Sequence, residues 1–198
     1  MNDQPNSDER GFTLVEMLIS LTILVMAMAG LYSMLIENSR INRQQQMTAE
    51  VQSNARNTLS LIVQKLRSAG WDPQNVGLST VTLDPDLSDS VSELEIFADL
   101  DADGDTDSTD EQILIRHVNN QVVVRRDADP STPFEIVAAD ISNDADGDGV
   151  IEPMFIPDAD PPTRITVQVT ARSPVRDPQS GDFIRYTVSS DVVLRKDL

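Results

Sequence analysis

The chain has 198 residues, 33 of them acidic and 15 basic, for a formal net charge of −18. Its length favours one domain with an appendage, and its charge disfavours nucleic acid and anionic lipid headgroups, which are held by basic faces. There is no cysteine and one histidine, His117, so disulfides, thiolate nucleophiles, cysteine-bound zinc and an HExxH zinc site are excluded. A serine–histidine–aspartate triad would have only His117 to draw on.

The first predicted element is a membrane helix. From Met17 to Ile36 twenty consecutive positions carry no charge. At ~1.5 Å per residue that run spans about 30 Å, the hydrocarbon thickness of a bilayer. Apolar character begins earlier, at Gly11, and is interrupted only by Glu16. A secretory signal has a basic start and a shorter apolar stretch. Here the leader carries Asp3, Asp8 and Glu9 against Arg10. A carboxylate at the edge of a span costs a few kcal/mol unless it finds a partner. Glu16 is either an interfacial marker or an acid kept for a positive charge supplied later.

The run Gly11-Phe12-Thr13-Leu14-Val15-Glu16 resembles the class III signal of type IV prepilins and type II secretion pseudopilins. That resemblance implies cleavage after Gly11 by a prepilin peptidase and N-methylation of Phe12. It makes Glu16 the fifth residue of the mature chain, where it would meet the N-terminal amine of a neighbouring pilin subunit. It also implies a single-pass protein of the bacterial inner membrane, N-terminus cytoplasmic and head periplasmic, that later joins an extracellular filament. The sequence departs from the pattern in its acidic leader and in Arg40 and Arg43 beyond the span, which by the positive-inside rule alone would give the reverse orientation. The span also lacks the kinking proline of major pilins, with Gly30 its only weak point. A proline-free helix resembles a minor pilin or pseudopilin more closely.

The helix is predicted to continue. Met47, Val51, Ala55, Leu59, Ile62, Leu66 and Ala69 recur at steps of three and four, a one-faced stripe. No proline interrupts residues 12–71, Gly70 is a candidate C-cap, and Asp72-Pro73 ends the element. One helix of roughly 58 residues, about 87 Å, follows if nothing bends it. The segment from Val51-Gln52-Ser53-Asn54-Ala55-Arg56 to Lys65-Leu66-Arg67-Ser68-Ala69-Gly70-Trp71 resembles the end of the spine helix in PilW/PulJ-type minor pilins. Trp71 stands where those have tyrosine, and reads as a bulky cover for the helix–sheet junction.

Beyond residue 75 the period changes to two. Residues 164–171 alternate cleanly, with Ile165, Val167, Val169 and Ala171 predicted to be buried. Further strands are expected at 93–98, 112–118 and 122–126, and 183–188 with 191–194 form the last strand or pair. Weaker ones are expected at 76–83 and 134–138. Asn119-Asn120 suits a two-residue hairpin turn. His117 falls on a strand and reads as a packed or rim histidine. The sum is an α+β chain, the type IV pilin fold by resemblance: a long N-terminal helix packed on a mostly antiparallel, β-rich head of six or seven strands. Its parts are a leader (1–11), the transmembrane half of the helix (12–36), its amphipathic half (37–70) and the head (71–198).

The head's acids are concentrated in two patterned segments. The first is Asp99-x-Asp101-x-Asp103-Gly104-Asp105-x-Asp107-x-x-Asp110-Glu111, the second Asp144-x-Asp146-x-Asp148-Gly149-Val150-Ile151-Glu152. Both match the D-x-D-x-D-G start of a calcium loop, in which alternate carboxylates converge and glycine turns the chain. Asp110 falls at loop position twelve and Glu111 one step later. In the second loop that position is Phe155, so Glu152, Asp158 or Asp160 would have to close the shell. Neither loop is flanked by two helices, so these are not EF-hands. A solvated acidic surface is the plainer reading, but it explains neither the preference for Asp nor the repeated glycine. Calcium is therefore the expected cofactor.

These features together point to a non-enzymatic minor pilin or pseudopilin. It would assemble through its apolar helix with other pilins in a type IV pilus. The competing readings are a subunit of a type II secretion pseudopilus, a calcium-dependent adhesive subunit of a pilus tip, and a membrane-anchored periplasmic enzyme. His117 and scattered carboxylates support the last poorly.

Overall fold

The computed structural model describes residues 12–83, 92–127, 129–159 and 161–194. Gly11 and Asp160 lie outside them. By its contacts the chain divides after Gln45, and the two units are described in turn.

The first unit is helical from Leu14. Its apolar side chains, Leu14 through Ile36, are exposed. Its few hydroxyls bond within the helix, Thr22 to the Leu18 carbonyl at 2.8 Å and Ser33 to that of Ala29 at 3.0 Å. That is how a polar group is accommodated in hydrocarbon. Among the described residues this is the one helix long and apolar enough to cross a membrane.

The second unit begins with the rest of this helix, α1 (Leu14–Leu66). Met47, Val51, Ala55, Ile62 and Leu66 are buried, as the stripe predicted, and so is Ala69 just beyond the helix. Thr58 is buried beside them, whereas Leu59 is half-buried. Both lie at workable steps from Ala55, and Thr58 loses little by burial because its hydroxyl donates to the Asn54 carbonyl at 2.8 Å. The helix stops at Leu66, four residues before the expected Gly70, and the chain tightens into turns. Gly70 has φ +68, the left-handed conformation of a C-cap, and its N–H donates to the Phe97 carbonyl at 2.9 Å.

Two antiparallel sheets follow. The first runs in chain order: β1 (Val81–Leu83), β2 (Ser92–Phe97), β3 (Gln112–Val118), β4 (Gln121–Arg125) and β5 (Glu135–Ala139). The β3–β4 turn is Asn119-Asn120, with φ +52 and +59, as a two-residue hairpin requires. The second sheet is β6 (Phe155–Pro157), β7 (Arg164–Arg172) and β8 (Arg185–Val193). Ile165, Val167, Val169 and Ala171 of β7 are fully buried, as their alternation predicted.

Two expectations change, and one is decided. The strand expected at 76–83 shrinks to β1. Of the single strand or pair expected over 183–194, the structure has the single strand, nine residues long. The short β6 was not foreseen, because Pro153 precedes it, Pro157 ends it and proline argues against a strand. The described residues thus hold eight strands.

One apolar core joins the helix to both sheets. Val51, Ala55, Ile62 and Leu66 contribute from the helix, Leu94, Ile96, Ile113, Ile115, Val122 and Val124 from the first sheet, and Phe155, Ile165, Val167 and Val169 from the second. This is the α+β arrangement that the resemblance implies. Its effect on function is positional, since both acidic segments become connections between strands rooted in this core.

Candidate functional sites at the helix start and in two acidic loops

At the helix start, Thr13 and Glu16 form a reciprocal cap. The Thr13 N–H and its hydroxyl both donate to Glu16 Oε2, each at 2.9 Å, and the Glu16 N–H donates to Thr13 Oγ1 at 3.3 Å. A capping box of this kind satisfies helix donors that would otherwise be unpaired. The carboxylate sits in the first turn, where the helix dipole favours negative charge. Phe12, the expected new N-terminus, is 82% exposed one residue before the cap.

The first acidic loop joins β2 to β3. Its ends are held by two buried carboxylates. Asp99 Oδ1 accepts the N–H groups of Ala102 (2.6 Å) and Asp103 (3.2 Å), and its Oδ2 that of Gly104 (3.1 Å). Glu111 Oε1 accepts from Leu100 and Asp101, and its Oε2 from Ser108. Outside these brackets, Asp103 accepts the Asp105 N–H and Asp105 that of Asp107, both at 3.1 Å. Single carboxylate oxygens of Asp99, Asp101 and Asp103 lie within 4.8 Å of one another, as do those of Asp103, Asp105 and Asp107. Asp110, by contrast, lies 3.4 Å from Lys65 Nζ and 3.8 Å from Arg126 Nε. It ties the loop to the end of α1 and to the segment after β4.

Crowding shows in the loop's protonation. The Asp105 N–H pulls the Asp103 carboxyl down, but desolvation and the charges of Asp101, Asp105 and Glu111 outweigh it and leave it above the ordinary value. Asp107 is also raised, first by its side-chain hydrogen bond with Asp105, then by that residue's charge, by desolvation, and by Asp103 and Glu111. Like charges this close disfavour the ionised form. A bound cation would reverse that balance.

The second loop joins β5 to β6. Asp144 Oδ1 accepts the Gly147 N–H at 2.6 Å, Asp146 that of Asp148 at 3.1 Å, and Asp148 that of Val150 at 2.7 Å. Glu152 reaches back to the Ala145 N–H at 3.0 Å. Oxygens of Asp144, Asp146 and Asp148 again lie within 4.8 Å of one another. Asp158 does not serve this loop. Its oxygens accept from Thr163, just before β7, and from Arg164, the strand's first residue, and the Thr163 hydroxyl, with those two N–H groups, holds its carboxyl down at about 2.

His117 is fully buried, with Nε2 2.8 Å from the Ile141 carbonyl and Nδ1 buried without a partner. Burial pushes its pKa below 6.5, and the Ile141 bond opposes that only partly. It is a packed core histidine. Trp71 is 43% exposed, and its carbonyl accepts the Asp99 N–H at 2.7 Å, placing it beside the first loop. Sequence reasoning did not foresee that Asp99 and Glu111 anchor the loop through buried backbone bonds. The only sign was the placing of both at the hydrophobic borders of β2 and β3.

Residues 6–32 match the family model described as the prokaryotic N-terminal methylation motif. No curated protein and no solved structure matches the chain. The motif match, whose span includes Gly11, Phe12 and Glu16 and runs into the apolar half of α1, supports a prepilin-type, membrane-anchored protein of the type IV pilin-like superfamily.

Proposed function

We propose that the chain is a minor pilin of the PilW/PulJ type, a structural and non-enzymatic subunit of a type IV pilus. The observation that carries this reading is the methylation motif running without a break into one 53-residue helix. The precursor stands in the inner membrane with its N-terminus in the cytoplasm and its head in the periplasm. Prepilin peptidase cuts after Gly11 and Phe12 is methylated. The apolar helix then packs with those of other pilins, and Glu16 leaves its bonds to Thr13 to meet a neighbour's amine. In low dielectric that pairing removes the cost of two isolated charges. The experiment is Glu16→Leu, expected to insert and be cleaved normally yet be absent from sheared pili. Unchanged incorporation would contradict the reading. A chain whose loss stops protein secretion and leaves pili intact would belong to a pseudopilus instead.

The reading extends to calcium at the first loop. The raised carboxyls of Asp103 and Asp107 support a cation there. Asp101, Asp103, Asp105 and Asp107 would supply hard oxygen ligands of the kind calcium takes. Asp99 and Glu111 would add what their backbone bonds leave free. The ion would clamp β2 to β3 in a chain that has no disulfide.

A further inference from the structure

The two acidic loops share a sequence pattern but differ in where a basic side chain meets them. In the first, Lys65 and Arg126 reach Asp110, outside the clustered carboxylates; in the second, a basic side chain reaches a member of the cluster itself. Arg185, the first residue of β8, brings Nη2 to 3.8 Å from Asp144 Oδ2. The side chains are only 23% and 13% exposed, so solvent and salt screen this pair far less than a surface ion pair.

The residue at the fourth loop position records the same contact. In the first loop it is Ala102, with φ +64 and its N–H bonded to Asp99 Oδ1 at 2.6 Å. In the second it is Gly147, with φ +87 and its N–H bonded to Asp144 Oδ1 at 2.6 Å. Both residues have positive φ, and at +87 an alanine would carry some backbone strain whatever its surroundings. An alanine at 147 would in addition meet the guanidinium: a Cβ there would stand 2.7 Å from Arg185 Nη1, 2.8 Å from Cζ and 3.0 Å from Nη2. Gly147 leaves room for the arginine as well as turning the chain.

We propose that Arg185 is the resident cation of the second loop. It fastens the loop to β8 through Asp144 and competes there with any divalent ion. The loop that matches the calcium pattern less completely is thus closed without metal. Calcium enters only as a probe, and the melting midpoint in chelator reads the Arg185 contact whether or not the first loop binds calcium.

The test uses the full chain in detergent micelles, in an Asp101→Asn, Asp103→Asn background that silences the first loop. With Arg185 intact, the melting midpoint should be the same in chelator and in millimolar calcium. Arg185→Gln should lower the chelator midpoint and create a calcium-dependent recovery, which added Asp146→Asn and Asp148→Asn remove. Arg185→Lys, which keeps the charge, should lose less. Gly147→Ala is an independent arm: its cost should shrink in the Arg185→Gln background, where the crowded guanidinium is gone. A calcium response with Arg185 intact, a chelator midpoint unmoved by Arg185→Gln, or a Gly147→Ala cost independent of Arg185 would each overturn the proposal.

Discussion

Thr13 holds Glu16 by two donors at once, its N–H and its hydroxyl each 2.9 Å from the same carboxylate oxygen. The acid proposed to meet a neighbour's amine is therefore occupied within its own chain. Removing the Thr13 hydroxyl takes away an N-cap, worth typically about 0.5–2 kcal/mol. Thr13→Val should raise amide hydrogen exchange over the first helical turn in micelles, and Thr13→Ser should restore protection. Equal exchange in all three proteins would mean that the cap does not form in solution.

In the helix stripe, Ile62 is fully buried and Leu59 is not. Ile62→Ala should cost about 2–5 kcal/mol, as expected for a cavity in a packed core. Leu59→Ala should cost distinctly less. Equal losses in urea unfolding would show that the helix is rotated from the orientation described.

Acid should weaken the head through His117. Burial holds the folded ring below 6.5, so the unfolded chain takes up a proton first as pH falls. The contribution is complete above about 6.5 and is lost from there down to the lowered folded value. Its Nδ1, buried without a partner, has nothing to receive that proton's bond. Urea midpoints should fall as the pH drops below about 6.5, and the fall should flatten in His117→Gln. A flat wild-type profile would contradict this. Asp158 acts in a separate window: its contribution is present above 3.8 and lost as pH falls toward about 2.

Calcium should stabilise the head through the first loop. At about 100 times its dissociation constant an ion adds about 2.7 kcal/mol. The full chain in micelles should melt higher in calcium than in chelator, with magnesium less effective and Asp101→Asn with Asp103→Asn removing the rise. Trp71, beside this loop, offers a local fluorescence signal. No calcium response at millimolar concentration would leave the loop a plain acidic surface.

Much of this was legible in the sequence because local chemistry decided it. Asn119-Asn120 marked its hairpin because asparagine tolerates positive φ. Residues 164–171 marked their buried face by strict alternation. Gly70 marked the left-handed residue behind the helix, although not the helix's true end at Leu66. What stayed hidden depends on contacts between distant residues. Arg185 and Gly147 are far apart in the chain and meet only because β8 passes the second loop. Asp110 and Glu111 are neighbours with opposite fates, one paired with Lys65 and the other buried as an anchor. A loop template counts positions and cannot tell them apart. Thr58 is buried while Leu59 packs at the edge of the core, because the Thr58 hydroxyl can satisfy itself on a carbonyl of its own helix.

The most direct measurement is the mass of the N-terminal peptide of the protein taken from its native membrane, in cells with active prepilin peptidase. The expected peptide begins at Phe12 and carries a methylated amine, with residues 1–11 absent. A chain that keeps its leader under those conditions, or one that is cut elsewhere, would contradict the assignment of a prepilin-type subunit.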